Sequence, residues 1–405
     1  MHLHPILSTL RRHRTASALI VLEIAVTCAI VSNTVFLVQE RLSRMNNSSG
    51  VVEDELIVVQ LTGIGEKPDA AAATEVDLSA LRSIPGVRHV ATSNMVPFGN
   101  SSWNTSISTI PDDPNTVNSA MYFGSQDLLE VMGLQVTAGR DFAPEEYVTL
   151  DDVQSKKAQA PAVIITRGLA NRLFPDKPPI GQPLYVLGKN PQTVVGVIEH
   201  LARPNEGTGR ENAAYAIVLP LLAPYTVTGN YVLRADAKQA SQVLTSVDTT
   251  LNRIDRGRVI MGRKPFAEIR REYFSQDRSL ALLLTGVSIA LLVVTAMGIV
   301  GLASFWVQQR TRQIGIRRAL GASRGDILRY FLLENFILAT IGIVLGMALS
   351  YGINLWLMKA YQVARLPGTV LPIGAALLWL VGQLAVLGPA LRATKISPAI
   401  ATRAT

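Results

Sequence analysis

Residues 280–306 contain no charged side chain, and residues 330–356 contain one, Glu334. Each run is long and apolar enough to cross the roughly 30 Å hydrocarbon core of a bilayer as a helix. Between them lies a short basic segment, QRTRQIGIRRALGASRGDILRYFLLE (residues 309–334). It carries Arg310, Arg312, Arg317, Arg318, Arg324 and Arg329. Two flanking spans hold such a loop at one membrane surface. A soluble partner can push on it there, and the push enters both helices.

Two further apolar runs complete the membrane part. Residues 16–38 exceed the apolar core of about 7–15 residues found in a signal peptide, and no A-x-A cleavage pattern follows. The predicted reading is a retained first span behind an amphipathic interfacial segment at residues 1–15. The remaining predicted spans are residues 279–307, 330–358 and 372–391. A cytoplasmic segment covers residues 308–329, a short outer loop 359–371 and a cytoplasmic tail 392–405. Glu23 lies inside span one, where an ionisable group either pairs with a nearby arginine (Arg12 or Arg14) or serves transport. Its place near the span's end favours pairing. Gly342 and Gly346 form a G-x-x-x-G pair suited to close helix contact, a pattern that also recurs by chance.

The formal net charge of +8 could suggest nucleic acid, but the arginines cluster beside the apolar runs and no recognition motif accompanies them. The positive-inside rule explains them better. Arg11, Arg12 and Arg14, the central loop, and Arg392, Lys395 and Arg403 all fall on one side of a four-span chain, whereas the short opposite loop has Lys359 and Arg365. Both termini are therefore expected in the cytoplasm, with the large domain on the outer side of the membrane.

That domain, residues 39–278, alternates β-branched runs with short helical patterns. The expected fold class is thus a polytopic α-helical membrane protein of four transmembrane helices. It carries a large extracytoplasmic mixed α/β (α+β) domain. A Gly- and Pro-rich middle, residues 121–210, reads as an inserted second lobe. Residues 76–84 read as a helix capped by Asp77 and stopped by Pro85-Gly86. Mixed charge at helical spacing in residues 261–276 predicts a solvated stalk helix leading into span two.

Enzyme signatures are missing from this sequence. It has no G-x-x-x-x-G-K-[ST] phosphate loop, no G-x-S-x-G, no H-E-x-x-H and no C-x-x-C. The histidines at 2, 4, 13, 89 and 200 show no metal-ligand spacing, and the single cysteine, Cys28, allows no intrachain disulfide. Acid pairs at 112–113 and 145–146 fall in turn-like contexts, which reads as solvated loop. Within the predicted spans only Glu23 and Glu334 are ionisable, and the paired broken helices and internal repeat of a secondary transporter are missing. No catalytic residue, metal or cofactor is expected on this chain, so the energy must arrive from elsewhere, through the basic loop.

The stretch RQIGIRRALGASRGDILRYFLLENFILATIGIVLGMALS resembles the signature of the FtsX-like permease family. Arg312, Ile314, Gly315, Arg317, Ala319, Leu320, Gly321, Ala322, Glu334, Gly342 and Gly346 match in order and spacing. The tail KISPAIATR is similar to the family's ending, with Thr402 where leucine is usual. More loosely, IPGVRHVATSNMVPF, AGRDF, PPIGQPL and TVVGVIEHL resemble the MacB-type periplasmic core domain.

The resemblance implies a permease subunit of a bacterial inner-membrane ABC transporter. ATP and Mg would be held by a dimeric ABC ATPase partner. A MacB polypeptide carries its own ATPase ahead of span one, so a separate ATPase subunit is expected here. It further implies a second permease copy or paralogue, and in some systems a periplasmic membrane-fusion protein and an outer-membrane channel. The loop would contain the coupling helix. Ile314, Ala319 and Leu320 would be its apolar anchor, and Arg317, Arg318 and Arg324 would face an acidic rim, with Arg312 and Gly315 in the same motif. Gly321 would break the run and Asp326 would sit in the first turn of span three. The plain alternative is that these arginines only enforce topology. Glu334 is expected to pair with a loop arginine across one turn. Efflux of an antibiotic, peptide or similar substrate is the implied activity; activation of a periplasmic partner and lipoprotein release are the alternatives.

Overall fold

The computed structural model describes residues 14–63, 69–205, 214–224, 230–255, 258–361, 368 and 371–397. Residues 1–13 of the interfacial segment, most of the 359–371 loop and the end of the tail lie outside the described residues. The chain divides into two units, residues 47–275 and the helical remainder.

Helix α1 (Arg14–Met45) runs past residue 38 because QERLSRM continues it with good helix formers. The outer unit then begins with β1 (Leu56–Gly63), α2 (Ala70–Arg82) and β2 (Val87–Ser93). Next come β3 (Asn104–Ile107), β4 (Val117–Phe123), α3 (Leu128–Met132), β5 (Val136–Gly139), β6 (Val148–Thr149) and α4 (Leu150–Gln154). They are followed by β7 (Ala162–Thr166), α5 (Arg167–Leu173), β8 (Pro183–Leu184), β9 (Gln192–Ile198), β10 (Ala216–Leu219) and β11 (Leu221–Leu222). The unit closes with β12 (Asn230–Ala235), α6 (Ala240–Ile254), β13 (Arg258–Pro265) and α7 (Phe266–Tyr273).

Two larger sheets and one parallel pair, β6 with β11, follow from this order. The first, β13-β1-β12-β2, is antiparallel throughout. Alternation along β1 sends Ile57, Val59 and Leu61 into a core with Leu78 and Leu81 of α2 and Val243, Val247 and Leu251 of α6. The second, β3-β4-β10-β7-β9-β5 with β8 on β9, buries Phe123, Val163, Ile165, Val197 and Ile217. All its strands lie between β2 and β12 in sequence. The inserted lobe therefore starts at Asn104, well before residue 121.

Two local expectations are corrected. Asp69, not Asp77, caps α2, accepting from the Ala72 amide at 2.9 Å. Asp77 is fully buried in mid-helix and takes the Tyr231 hydroxyl at 2.9 Å. The predicted stalk helix over residues 261–276 is half strand: Arg258–Pro265 pairs with β1, and helix begins only at Phe266. Pairing with β1 outweighs the helical charge spacing. Lys264 bonds Glu272 from strand to helix at 2.5 and 2.7 Å.

The helical unit adds α8 (Ser275–Gln309), α9 (Thr311–Ala319), α10 (Arg324–Tyr361) and α11 (Leu371–Thr394). Helices α1, α8, α10 and α11 contain four stretches long and apolar enough to cross a membrane. Ile24, Ile299, Trp306, Phe331, Leu338 and Ile343 share one apolar core. Gly342 and Gly346 let α10 lie directly on α1: a Cβ at Gly346 would stand 2.5 Å from Cys28 Cβ and 2.6 Å from the Ala25 carbonyl oxygen. Polar pairs join the helices between their apolar contacts. Thr27 meets Thr295 at 2.8 Å, Asn33 donates to Ser350 Oγ at 2.8 Å, and Asn335 donates to the Gly382 carbonyl at 3.0 Å. Glu23 faces α8, its carboxylate filling the space where a side chain at Gly298 would begin. At the ends of the first two spans, Arg41 and Arg44 both reach Asp277.

Candidate functional site

The basic loop folds as a short helix held between two capped ends. Helix α9 stops because Gly321 takes φ +97°, which only glycine adopts without strain. Ala322 N–H then bonds the Arg317 carbonyl at 3.0 Å, and Gly321 N–H bonds the Arg318 carbonyl at 3.2 Å. This is the Schellman pattern that satisfies the last carbonyls of a helix. Two residues on, Ser323 and Asp326 cap α10 reciprocally. Ser323 N–H donates to Asp326 Oδ2 at 3.0 Å, and Asp326 N–H donates to Ser323 Oγ at 3.1 Å. The turn between α9 and α10 is thus a defined corner.

The loop is anchored from inside. Arg310, 7% exposed, donates to both oxygens of Glu334, 1% exposed, at 3.0 and 2.9 Å. Its guanidinium also lies 5.5 Å from the centre of the Trp306 ring. The expected pairing of Glu334 is across helices rather than across one turn. The partner, Arg310, was not among the coupling residues singled out, although a lone intramembrane carboxylate beside an arginine at a span's end was the signal for it.

The structure separates the predicted loop residues into two faces. Ile314 and Gly315 are buried, Ile314 within the core around Trp306, Ile327 and Phe331. Ile314 therefore cannot be an exposed anchor. Arg318 turns inward too, donating to the Thr394 and Ile396 carbonyls at 3.2 and 2.5 Å, at the C-terminus of α11. The opposite face presents Arg312, Ile316, Ala319 and Leu320 at one-turn intervals, with Leu320 84% exposed. Ile316, 44% exposed, is the apolar residue that sequence reasoning passed over. Arg317 is exposed and stacks over Tyr330 at 4.9 Å, while Gly321, Arg324 and Asp326 line the corner.

An apolar stripe edged by arginines, on a helix rigidly tied to two membrane spans, can dock in a groove with an acidic rim. Helix α9 adjoins α8 at Arg310 and α10 at the capped corner.

Comparison with known proteins identifies the family. Residues 285–398 match the family model described as FtsX-like permease C-terminal, and residues 17–251 match that of the MacB-like periplasmic core domain. The chain is similar to the macrolide export ATP-binding/permease protein MacB of Chromobacterium violaceum, with 28% identity over 295 residues, covering 70% of this chain and 43% of that protein. The Agrobacterium fabrum protein of the same name is 30% identical over 300 residues, again 70% and 43%. That of Bdellovibrio bacteriovorus is 27% identical over 433 residues, 99% of this chain and 61% of the relative. The chain thus spans from about two fifths to three fifths of the length of these relatives. Among solved structures, the extracellular domain of the ABC-type transporter YknZ from Gram-positive bacteria matches with a TM-score of 0.31 and 18% identity, over 51% of this chain and all of that one. The periplasmic region of MacB from Actinobacillus actinomycetemcomitans matches with a TM-score of 0.32 and 12% identity, over 56% and 95%.

Proposed function

This chain belongs to the FtsX-like permeases that carry a MacB-like periplasmic core domain, and from that premise we propose that it converts ATP hydrolysis by a partner into motion of its outer domain. The observation that carries the reading is the exposed stripe Arg312, Ile316, Ala319 and Leu320 on a helix locked to two spans. A large exposed leucine at a membrane surface, flanked by arginines, has the chemistry of a docking surface. The proposed partner is an ABC ATPase dimer, which binds ATP and Mg.

The proposed machine contains two permease copies or paralogues, termini in the cytoplasm and the outer domains in the periplasm. ATP binding draws the ATPase subunits together, α9 follows, and the outer domains shift. The cargo is an antibiotic, peptide or similar amphiphile already outside the membrane, delivered with a membrane-fusion protein to an outer channel. The scarcity of charge in the spans agrees with this, because nothing need cross the bilayer there.

The test is affinity purification of the tagged chain from its own membranes, with ATP hydrolysis in the eluate as readout. Leu320→Asp should remove that hydrolysis while the chain still inserts. Equal hydrolysis from wild type and Leu320→Asp would overturn the coupling role.

A further inference from the structure

The first sheet of the outer unit packs α2 and α6 on one face only. Its other face, bearing Val58 and Gln60 of β1, Asn230 of β12 and Met261 of β13, is roofed incompletely by α7 and the loop after β2. Between floor and roof is a cleft of about 360 Å³. That lies in the range of roughly 300–1,000 Å³ usual for small-molecule sites.

The roof is built at a cost. Phe98 sits at φ +60°, a left-handed conformation that a bulky aromatic residue rarely adopts. It is 3% exposed and held there by rings on α7 and beyond: Tyr273 at 5.3 Å, Phe274 at 5.1 Å and Phe266 at 6.2 Å. Arg270 lies over the same ring at 5.3 Å, while also bonding Glu53 and the Asn47 carbonyl. Backbone strain kept in place by surrounding packing concentrates at ligand sites. Here it aims Gly99, Asn100 and Ser101 over the sheet.

The lining has a definite chemistry. Val58, Val96, Phe98, Ile269 and Tyr273 supply apolar wall, and Met261, 65% exposed, supplies an adaptable edge. Amide and hydroxyl groups come from Gln60, Asn100, Ser101 and Asn230. The charged groups of the lining are Lys264 and Glu272, and they bond each other at 2.5 and 2.7 Å. A charged ligand would have to break that pair or lose its own hydration unpaired.

We propose that this cleft binds a neutral amphiphile, with an aromatic or branched apolar body and amide or hydroxyl groups along one edge. The site goes beyond the coupling role and does not depend on it. Its wall α7 leads through Phe274 directly into Ser275, the first residue of α8. A bound ligand therefore acts on the chain segment that enters the second span.

The full chain in lipid nanodiscs is irradiated with N-acetyl-4-benzoylphenylalanine methylamide, a neutral photoreactive probe, and adducts are mapped by mass spectrometry. No ATP is present, so the result is independent of the coupling reading. Adducts should concentrate on the peptides containing Met261 and Tyr273. The free-acid and primary-amine analogues should label them about tenfold less, the ratio that corresponds to about 1.4 kcal/mol. Gln60→Trp, which fills the cleft from its exposed floor position, should abolish labelling, and Val76→Trp on the far helix should not. Adducts spread evenly over the chain, equal labelling by the charged analogues, or undiminished labelling of Gln60→Trp would each overturn the site.

Discussion

Arg310 and Glu334, 24 residues apart, close a buried ion pair in which one guanidinium nitrogen serves both carboxylate oxygens. Removing one partner of a buried pair leaves the other charged and unsatisfied. Glu334→Ala and Arg310→Ala should each destabilise the helical unit by about 3–5 kcal/mol. Replacing both by alanine should cost clearly less than the sum, because no orphan charge remains. Thermal unfolding of the purified protein in detergent, read as a double-mutant cycle, checks this. Additive losses would mean the pair is not coupled.

The two faces of α9 predict a split between folding and coupling. Ile314→Asp places a carboxylate in the core around Trp306 and should lower the melting temperature and the yield. Leu320→Asp and Ile316→Asp change exposed positions and should leave both unchanged while removing the associated ATP hydrolysis. If Ile316→Asp and Ile314→Asp behave alike, the facial assignment is wrong.

Gly346 predicts a steric effect. A Cβ there meets Cys28 Cβ and the Ala25 backbone, neither of which is the end of a flexible side chain. Gly346→Val should cost about 1–3 kcal/mol, as overpacking does. Gly352→Val, with nothing within 4 Å, serves as the matched control and should melt like the wild type.

How far these features can be read without coordinates depends on whether the determinant is local. The spans of α8 and α10 are legible because a long apolar run with at most one charge has no other solvent, and the α9–α10 corner because Gly321, Ser323 and Asp326 act on their own neighbours. Asp77 misleads, since the same residue type that caps a helix also accepts a buried tyrosine hydroxyl, and only the position of Tyr231 decides. Residues 258–265 mislead likewise: their pairing with β1 lies across roughly the whole outer domain in sequence. Ile314 and Ile316 are indistinguishable in composition, and only the packing of Phe331 and Trp306 sorts them.

Glu146 predicts an acid-sensitive contact in the inserted lobe. Its oxygens accept from Arg140 at 2.7 and 2.8 Å and from the Ala143 amide at 2.7 Å. The Arg140 bonds hold its carboxyl below the ordinary value of 4.5. A depressed folded value means the stabilisation is complete above that ordinary value and fades as pH falls through the lower one. Melting of wild type and Glu146→Gln should therefore differ most near neutrality and converge in acid. A gap that stays constant with pH would show that the charge contributes nothing.

The proposed orientation rests on the side to which the arginines of α9 face, so it can be tested by chemistry at two exposed points. Leu320→Cys lies on the basic loop and Thr116→Cys on the inserted lobe of the outer unit, and both parent residues are exposed. The native thiol, Cys28, is buried against α10 and should react with neither reagent. A membrane-impermeant maleimide applied to cells with a permeabilised outer envelope but intact inner membrane should label Thr116→Cys and spare Leu320→Cys. Lysis should then expose Leu320→Cys. The opposite pattern would place α9 outside, where no ATPase can reach it. The exposed stripe would then need another partner, and the arginines around it would contradict the positive-inside rule rather than follow it.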